Sequence, residues 1–242
     1  MNLIVDVGNS FVKVAVFKAD VLQYVTRVAM EEFLKKISEI FQKYPEIVRT
    51  MISSVGKLPN EYEKALAVFA PVQTLSRNSK VPFVNAYATP QTLGVDRIAL
   101  AAAAYYHYTH KNCLIIDAGS CITYDFLSNE GVYKGGAIAP GIKMRYKAMN
   151  AFTANLPLID SFEIGDFIGD STESCMISGV LHGVVNEMDA TIAQYQKKFK
   201  DLTVILTGGD SHFLSKRLKS SIFAHPNFLV EGVNYILELN KH

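Results

Sequence analysis

Cysteine is scarce in this chain. Cys113, Cys121 and Cys175 are the only three, widely spaced and without a CxxC. That pattern supports neither a disulfide framework nor a zinc knuckle. Set among apolar or small neighbours, each thiol is expected to be a packed, buried group. Charge of one sign is lacking too: Lys+Arg 24 against Asp+Glu 23 leave a formal net charge of +1. Nucleic-acid binding calls for a basic excess or stripe, so no nucleic-acid partner is expected. There is no HExxH, and His107 and His110, three apart on a predicted helix, are expected to lack the carboxylate or thiol partner that a metal site needs. The most apolar stretch, Ile98 to Tyr106, is about half the length of a bilayer span. Met1-Asn2-Leu3-Ile4-Val5-Asp6 reaches a carboxylate too early for a secretory leader. A cytoplasmic setting without a membrane partner is therefore expected. Walker A and GxGxxG sequences are also absent, so neither a P-loop nor a Rossmann site is indicated.

What is there is a chain of 242 residues, 49% hydrophobic and 19% charged, enough apolar material for a real core in one large or two smaller domains. Three strand-like runs open it: Leu3 to Val7, Val12 to Val16 and Val21 to Ala29. A helix over Glu31 to Tyr44, a strand at Val48 to Val55, a helix at Asn60 to Phe69 and a short strand at Val72 to Leu75 follow. A loop rich in Pro and Asn (Asn78 to Gln91) leads to a small-residue helix at about Arg97 to Tyr108. Then the order begins again. Strands at Leu114 to Asp117, Ile122 to Leu127 and Gly131 to Ile138 precede helices at Lys143 to Phe152 and Thr172 to Phe199, the latter interrupted at Gly179 and Gly183. A strand at Thr203 to Leu206, a helix at His212 to Leu218, a strand at Phe228 to Val230 and a helix from Gly232 complete the chain. The expected halves are 1–112 and 113–242. On the long helix, Met176, Val180, Val184 and Met188 form an apolar stripe suited either to a core or to a subunit interface.

The repeat is visible in the letters. Leu3-Ile4-Val5-Asp6-Val7-Gly8-Asn9-Ser10 aligns with Leu114-Ile115-Ile116-Asp117-Ala118-Gly119-Ser120-Cys121. In each, a buried strand delivers an Asp, then a glycine and small polar residues, then a second strand. Gly8 and Asn9 permit a tight reversal, and Asn9, Ser10 and Lys13 add donors and one cation, which suits a polyphosphate. An ordinary hairpin with Asp6 capping its own turn is the alternative. A third turn, Leu206-Thr207-Gly208-Gly209-Asp210, ends another buried strand, where paired glycines would let a base or ribose approach the backbone. Asp96-Arg97 stands ahead of an apolar helix, where the residues alone read as an N-terminal pair with the Asp held by the helix dipole.

Together these stretches resemble the phosphate-1, phosphate-2 and adenosine pattern of the acetate kinase, sugar kinase, heat-shock chaperone and actin superfamily. More narrowly the chain resembles the type III pantothenate kinases. The similar stretches are DVGNSFVK (Asp6 to Lys13), ISSV (Ile52 to Val55), YATPQTLGVDR (Tyr87 to Arg97), IDAGSCITYD (Ile116 to Asp125), GGAIAPG (Gly135 to Gly141), TANLP (Thr153 to Pro157), GDSTESCMISG (Gly169 to Gly179) and LTGGD (Leu206 to Asp210). The resemblance implies an α/β fold of duplicated actin-like ATPase (ribonuclease H-like) domains with a cleft between them. It implies ATP-dependent phosphorylation of pantothenate to 4'-phosphopantothenate, the first step of coenzyme A biosynthesis. By that resemblance Asp96 is the catalytic base; Asp6, Gly8, Asn9, Ser10, Lys13 and Ser120 hold the ATP phosphates; and Tyr87, Gly94, Val95, Arg97 and Thr172 bind pantothenate. Asp117 would help bind a monovalent cation, potassium or ammonium; magnesium would arrive with ATP; and the chain would act as a homodimer. The second turn departs from the family's usual Asp-x-Gly-Thr-Ala: Ser120 keeps the hydroxyl, and Cys121 is larger than the usual Ala.

Other readings are another small-molecule kinase of the superfamily, a transcriptional regulator, or an actin-like switch. The charge balance gives the regulator no basic recognition helix, and the chain is short for the switch's extra subdomains.

Overall fold

The computed structural model describes residues 1–8, 11–54 and 59–241. It divides into two compact units: Met1–Thr109 with Gly131–Tyr133 and the residues from Asn227 onward, and His110–Glu130 with Lys134–Pro226.

In the first unit, β1 (Asn2–Val7), β2 (Val12–Lys18), β3 (Val21–Val28), β4 (Arg49–Ser54) and β5 (Val72–Thr74) form one sheet in the order β3-β2-β1-β4-β5. β1 runs antiparallel to β2 and parallel to β4. The period of two along β1 sorts its side chains. Leu3, Val5 and Val7 join a core with Phe33, Ile37, Ile40 and Phe41 of α1 (Phe33–Lys43) and Leu66 of α2 (Asn60–Phe69). Asn2, Ile4 and Asp6 point the other way. That side carries α3 (Val95–His107) and α7 (Phe228–Leu239), and the Asn2 amide donates to Asn234 Oδ1 of α7 at 2.8 Å. The same alternation therefore aims Asp6 toward the α3 side of the sheet.

α7 includes residues 228–230, which the sequence reading had as a strand. A three-residue apolar run cannot by itself distinguish strand from buried helix, and here Phe228, Val230, Val233, Ile236 and Leu237 are all buried on one helix. Gly232 lets α7 lie close on α3, since a Cβ there would stand 1.9 Å from the Ala99 carbonyl oxygen. α7 accordingly belongs to the first unit, although it closes the sequence. The halves 1–112 and 113–242 and the compact units are thus different divisions of the chain. A short strand, β6 (Val84–Asn85), lies inside the loop after β5 and pairs with Val132 and Tyr133.

In the second unit, β7 (Asn112–Ala118), β8 (Cys121–Leu127), β9 (Val132–Pro140), β10 (Leu202–Thr207) and β11 (Phe223–Ala224) stand in the order β9-β8-β7-β10-β11. β7 is again antiparallel to its hairpin partner and parallel to the strand on its other side. The two units repeat one topology. Leu114, Ile116 and Ala118 pack with α4 (Ile142–Phe152), α5 (Thr172–Lys198) and α6 (Ser211–Ser215), so Asp117 projects from the opposite face. α5 is continuous through Gly179 and Gly183, contrary to the expected interruption. A capping box starts it, with Ser171 Oγ accepting from the Ser174 N–H at 3.2 Å. Met176, Val180, Val184 and Met188 lie in this unit's core, which decides between the two uses of that stripe.

Candidate active site: two aspartate turns

Asp6 stands near the end of β1, opposite Lys13 on β2 and Ser53 on β4. Burial pushes its carboxyl up to about 7; the Lys13 ammonium pulls it back, the neighbouring Asp96 carboxylate pushes it further up, and the Ser53 hydroxyl softens the effect. Among the described residues that buried hydroxyl makes no well-formed hydrogen bond, although it lies close enough to act on Asp6. Gly8 closes the turn by donating its N–H to the Phe11 carbonyl at 3.2 Å. Asn9 and Ser10 lie outside the described residues.

Asp96 occupies the first turn of α3, after the N-cap Gly94. One carboxylate oxygen accepts the Arg97 N–H at 2.8 Å. The carboxylate folds back over Gly94, where a Cβ would meet Asp96 Oδ1 at 2.3 Å. Gly94 is thus needed for close approach and not for an unusual φ, which is −63°. Arg97 is buried at the start of the helix, its guanidinium 5.6 Å from the Tyr87 ring centroid. Tyr87 is held by an Asx-type turn, its N–H donating to Asn85 Oδ1 at 3.1 Å, and its ring lies 6.2 Å from that of Tyr133. The first unit therefore gathers Asp6, Lys13 and Asp96 at one place and Tyr87, Gly94, Val95 and Arg97 along one loop and helix start.

In the second unit, Asp117 lies opposite Thr123 on β8 and Thr207 on β10. Three glycines shape the turn that follows it and its neighbour from β10. Gly119 donates to the Cys121 carbonyl at 2.9 Å. Gly141 donates to the Ser120 carbonyl at 3.1 Å, and a Cβ there would strike the Gly119 oxygen at 2.1 Å. Gly208, at φ +95°, leaves no room for a Cβ, which would fall 2.3 Å from the Ala118 oxygen and 2.4 Å from Asp117 Oδ1. Asp210 donates its N–H to the Ala118 carbonyl at 3.0 Å, and burial raises its carboxyl while Lys143 opposes that. The phosphate-2 and adenosine stretches are thereby one hydrogen-bonded assembly. Ser120 is exposed there, and Thr172 is exposed at the start of α5.

A family model described as Type III pantothenate kinase matches residues 2–194. Type III pantothenate kinases from Christiangramia forsetii and Flavobacterium psychrophilum are 49% and 42% identical, covering 100% of this chain and 99% and 100% of theirs. This chain belongs to the type III pantothenate kinases. Among solved structures, a Campylobacter jejuni protein named for the Baf family of transcriptional activators shares the fold at a TM-score of 0.66 and 22% identity, covering 99% of this chain and 98% of its own. An inorganic polyphosphate/ATP-glucomannokinase from an Arthrobacter strain does so at 0.51 and 14%, covering 98% of each chain. With the repeated β-sheet order, these bear out the duplicated actin-like architecture.

Some features of this family member were not foreseen. Ser53 carries no signal of a role in the ISSV stretch itself; only the register of β1 against β4 puts it beside Asp6. His107 has a carboxylate neighbour after all, Glu231 Oε2 at 2.7 Å, brought by α7 from far along the sequence. Cys175 is exposed, on the solvent side of the first turn of α5, and Cys121 is half-buried. Only Cys113 is buried as expected, and burial pushes its thiol up to about 12.

Proposed function

We propose that this kinase transfers the γ-phosphoryl group of ATP to the terminal hydroxyl of pantothenate, giving 4'-phosphopantothenate. The observation that carries the reading is Asp96: a carboxylate folded over Gly94, oriented by the Arg97 N–H, with Asp6 and Lys13 beside it. Asp96 accepts the alcohol proton as the new O–P bond forms; orientation counts as much as basicity because the transition state is loose. Arg97, stacked on Tyr87, offers a fork for the pantothenate carboxylate, and Gly94, Val95 and Thr172 complete acceptor binding. Gly8, Asn9, Ser10, Lys13 and Ser120 hold the phosphates, with Asp6 fixing Lys13.

Asp117 suits a weakly hydrated cation such as potassium or ammonium, because two threonines oppose it in the sheet and the Gly208 backbone packs against its carboxylate. Such an ion, when bound, offsets phosphate charge. No cluster of three or more carboxylates among the described residues could cage magnesium, which fits a Mg²⁺ carried by ATP through phosphate oxygens and water. No helix among the described residues is long and apolar enough to cross a membrane, in keeping with a cytoplasmic enzyme.

A homodimer is supported by unpartnered apolar surface on the second unit: Phe152, Phe167 and Ile168 are 88%, 72% and 76% exposed. Gly179 and Gly183 add an open stripe on α5, with nothing within 4 Å of a Cβ at either. Replacing Gly183 by Leu leaves the subunit folded but yields monomers in sedimentation; dimers of undiminished stability would remove α5 from the interface.

The reaction is tested by ATP-dependent phosphopantothenate formation in potassium and in sodium, with wild type and Asp96→Asn. Potassium-stimulated product that falls about 10²–10⁴-fold in the variant is expected. A folded wild type that makes no product with either cation overturns the substrate assignment.

A further inference from the structure

We propose that the second unit carries a separate binding site for a small anion bearing a flat or apolar group, in the cavity beside the C-terminal end of α5. The cavity holds about 410 Å³, within the size range of small-molecule sites. Its apolar side is aromatic: the rings of Phe126 and Phe199 stack with centroids 4.1 Å apart, and Tyr195 lies 5.7 Å from Phe126. Its opposite wall is bare backbone. Gly135 has φ +88°, and a Cβ on Gly136 would fall 1.7 Å from the Tyr124 oxygen. Gly136 thus lets β9 lie tight against the β8 backbone, and both glycines line the cavity without adding a side chain to it.

Lys134 and Lys198 line the same cavity. Among the described residues neither has a carboxylate within ion-pair distance, unlike Lys36, Lys143 and Lys241; the Lys198 ammonium lies 5.6 Å from the Phe199 ring centroid. Lys198 answers the carbonyl end of α5. Lys134 stands on a strand, where no helix end calls for a cation. Two ammonium groups lining a cavity with an aromatic wall match a phosphate or carboxylate joined to a ring or short acyl chain. The place is distinct from the phosphate turns. β8 leads away from Cys121, and Phe126, five residues on, stands roughly 17 Å along the strand at ~3.3 Å per residue.

The test uses 1-naphthyl phosphate as the probe, followed by its own fluorescence in a chain that has no tryptophan. Binding is expected to stay within twofold in Lys13→Ala, which removes the cation of the first phosphate turn. It should weaken at least tenfold in the Lys134→Ala/Lys198→Ala double variant and less than twofold in Lys197→Ala, whose residue does not line the cavity. Inorganic phosphate should bind at least tenfold more weakly than the probe. The proposal is overturned if Lys13→Ala or Lys197→Ala weakens binding as much as the double variant, if phosphate binds equally well, or if the probe does not bind.

Discussion

Asp6 and Asp117 occupy the same place in two copies of one topology: the last residue but one of a first strand, flanked by an antiparallel hairpin partner and a parallel strand. Their neighbours differ. Lys13 and Ser53 oppose Asp6, whereas Thr123 and Thr207 oppose Asp117. The first carboxylate comes with its own cation and suits a turn that organises phosphate. The second faces two threonines across the ladder and the tight backbone of Gly208, the setting on which its proposed cation role rests. Duplication supplies the position; the residues across the ladder decide what the position does.

The largest expected contrast lies in the glycines of the two turns. Gly208→Ala must force a left-handed φ and a backbone collision at the Ala118 oxygen, costing roughly 3 kcal/mol or more. Gly8→Ala meets only the Phe11 oxygen at 3.2 Å and should cost under about 1 kcal/mol. Urea melts of the two variants measure this directly, and equal losses would erase the distinction between the turns.

Next comes Gly94→Ala, which displaces a flexible carboxylate instead of backbone. Turnover should fall on the order of 100-fold through misplacement of Asp96, while the melting temperature stays within a few degrees. Steady-state kinetics beside a thermal melt separates the two readouts.

A smaller effect concerns pH. The Asp6 carboxyl is raised from its ordinary value near 3.8 to about 7 in the folded chain. Between these values the folded state holds a proton that the unfolded chain has released. Its contribution to stability is therefore full below about 4 and lost as pH rises through about 7. Asp6→Asn, which removes the titration, should flatten the melting-temperature profile over that window and be the more stable protein at pH 8. Parallel profiles for variant and wild type would contradict the raised carboxyl.

Most of the strand and helix order was legible from hydrophobic period, because β1, β7 and α1 bury regular faces. The repeated Asp-Gly turns made the duplication readable as well. What escaped depends on distant partners. The run at 228–230 became helix because α3 offers its alanines and Gly232 allows contact. β6 and β11 are two-residue strands, defined by their neighbours and too short for any period. Continuity of α5 through Gly179 and Gly183 came from packing and capping, which outweigh a cost of about 1 kcal/mol per glycine. The site residues were legible as types and positions, but the pairing of Asp6 with Ser53 needed the parallel register.

The most direct measurement is a potassium titration of phosphopantothenate formation by Asp6→Asn and Asp117→Asn beside the wild type. If equivalent positions do different work, the half-activating potassium concentration rises at least tenfold in Asp117→Asn. In Asp6→Asn it stays within twofold of wild type while turnover falls. Equal shifts in both variants, or a shift confined to Asp6→Asn, would contradict the account.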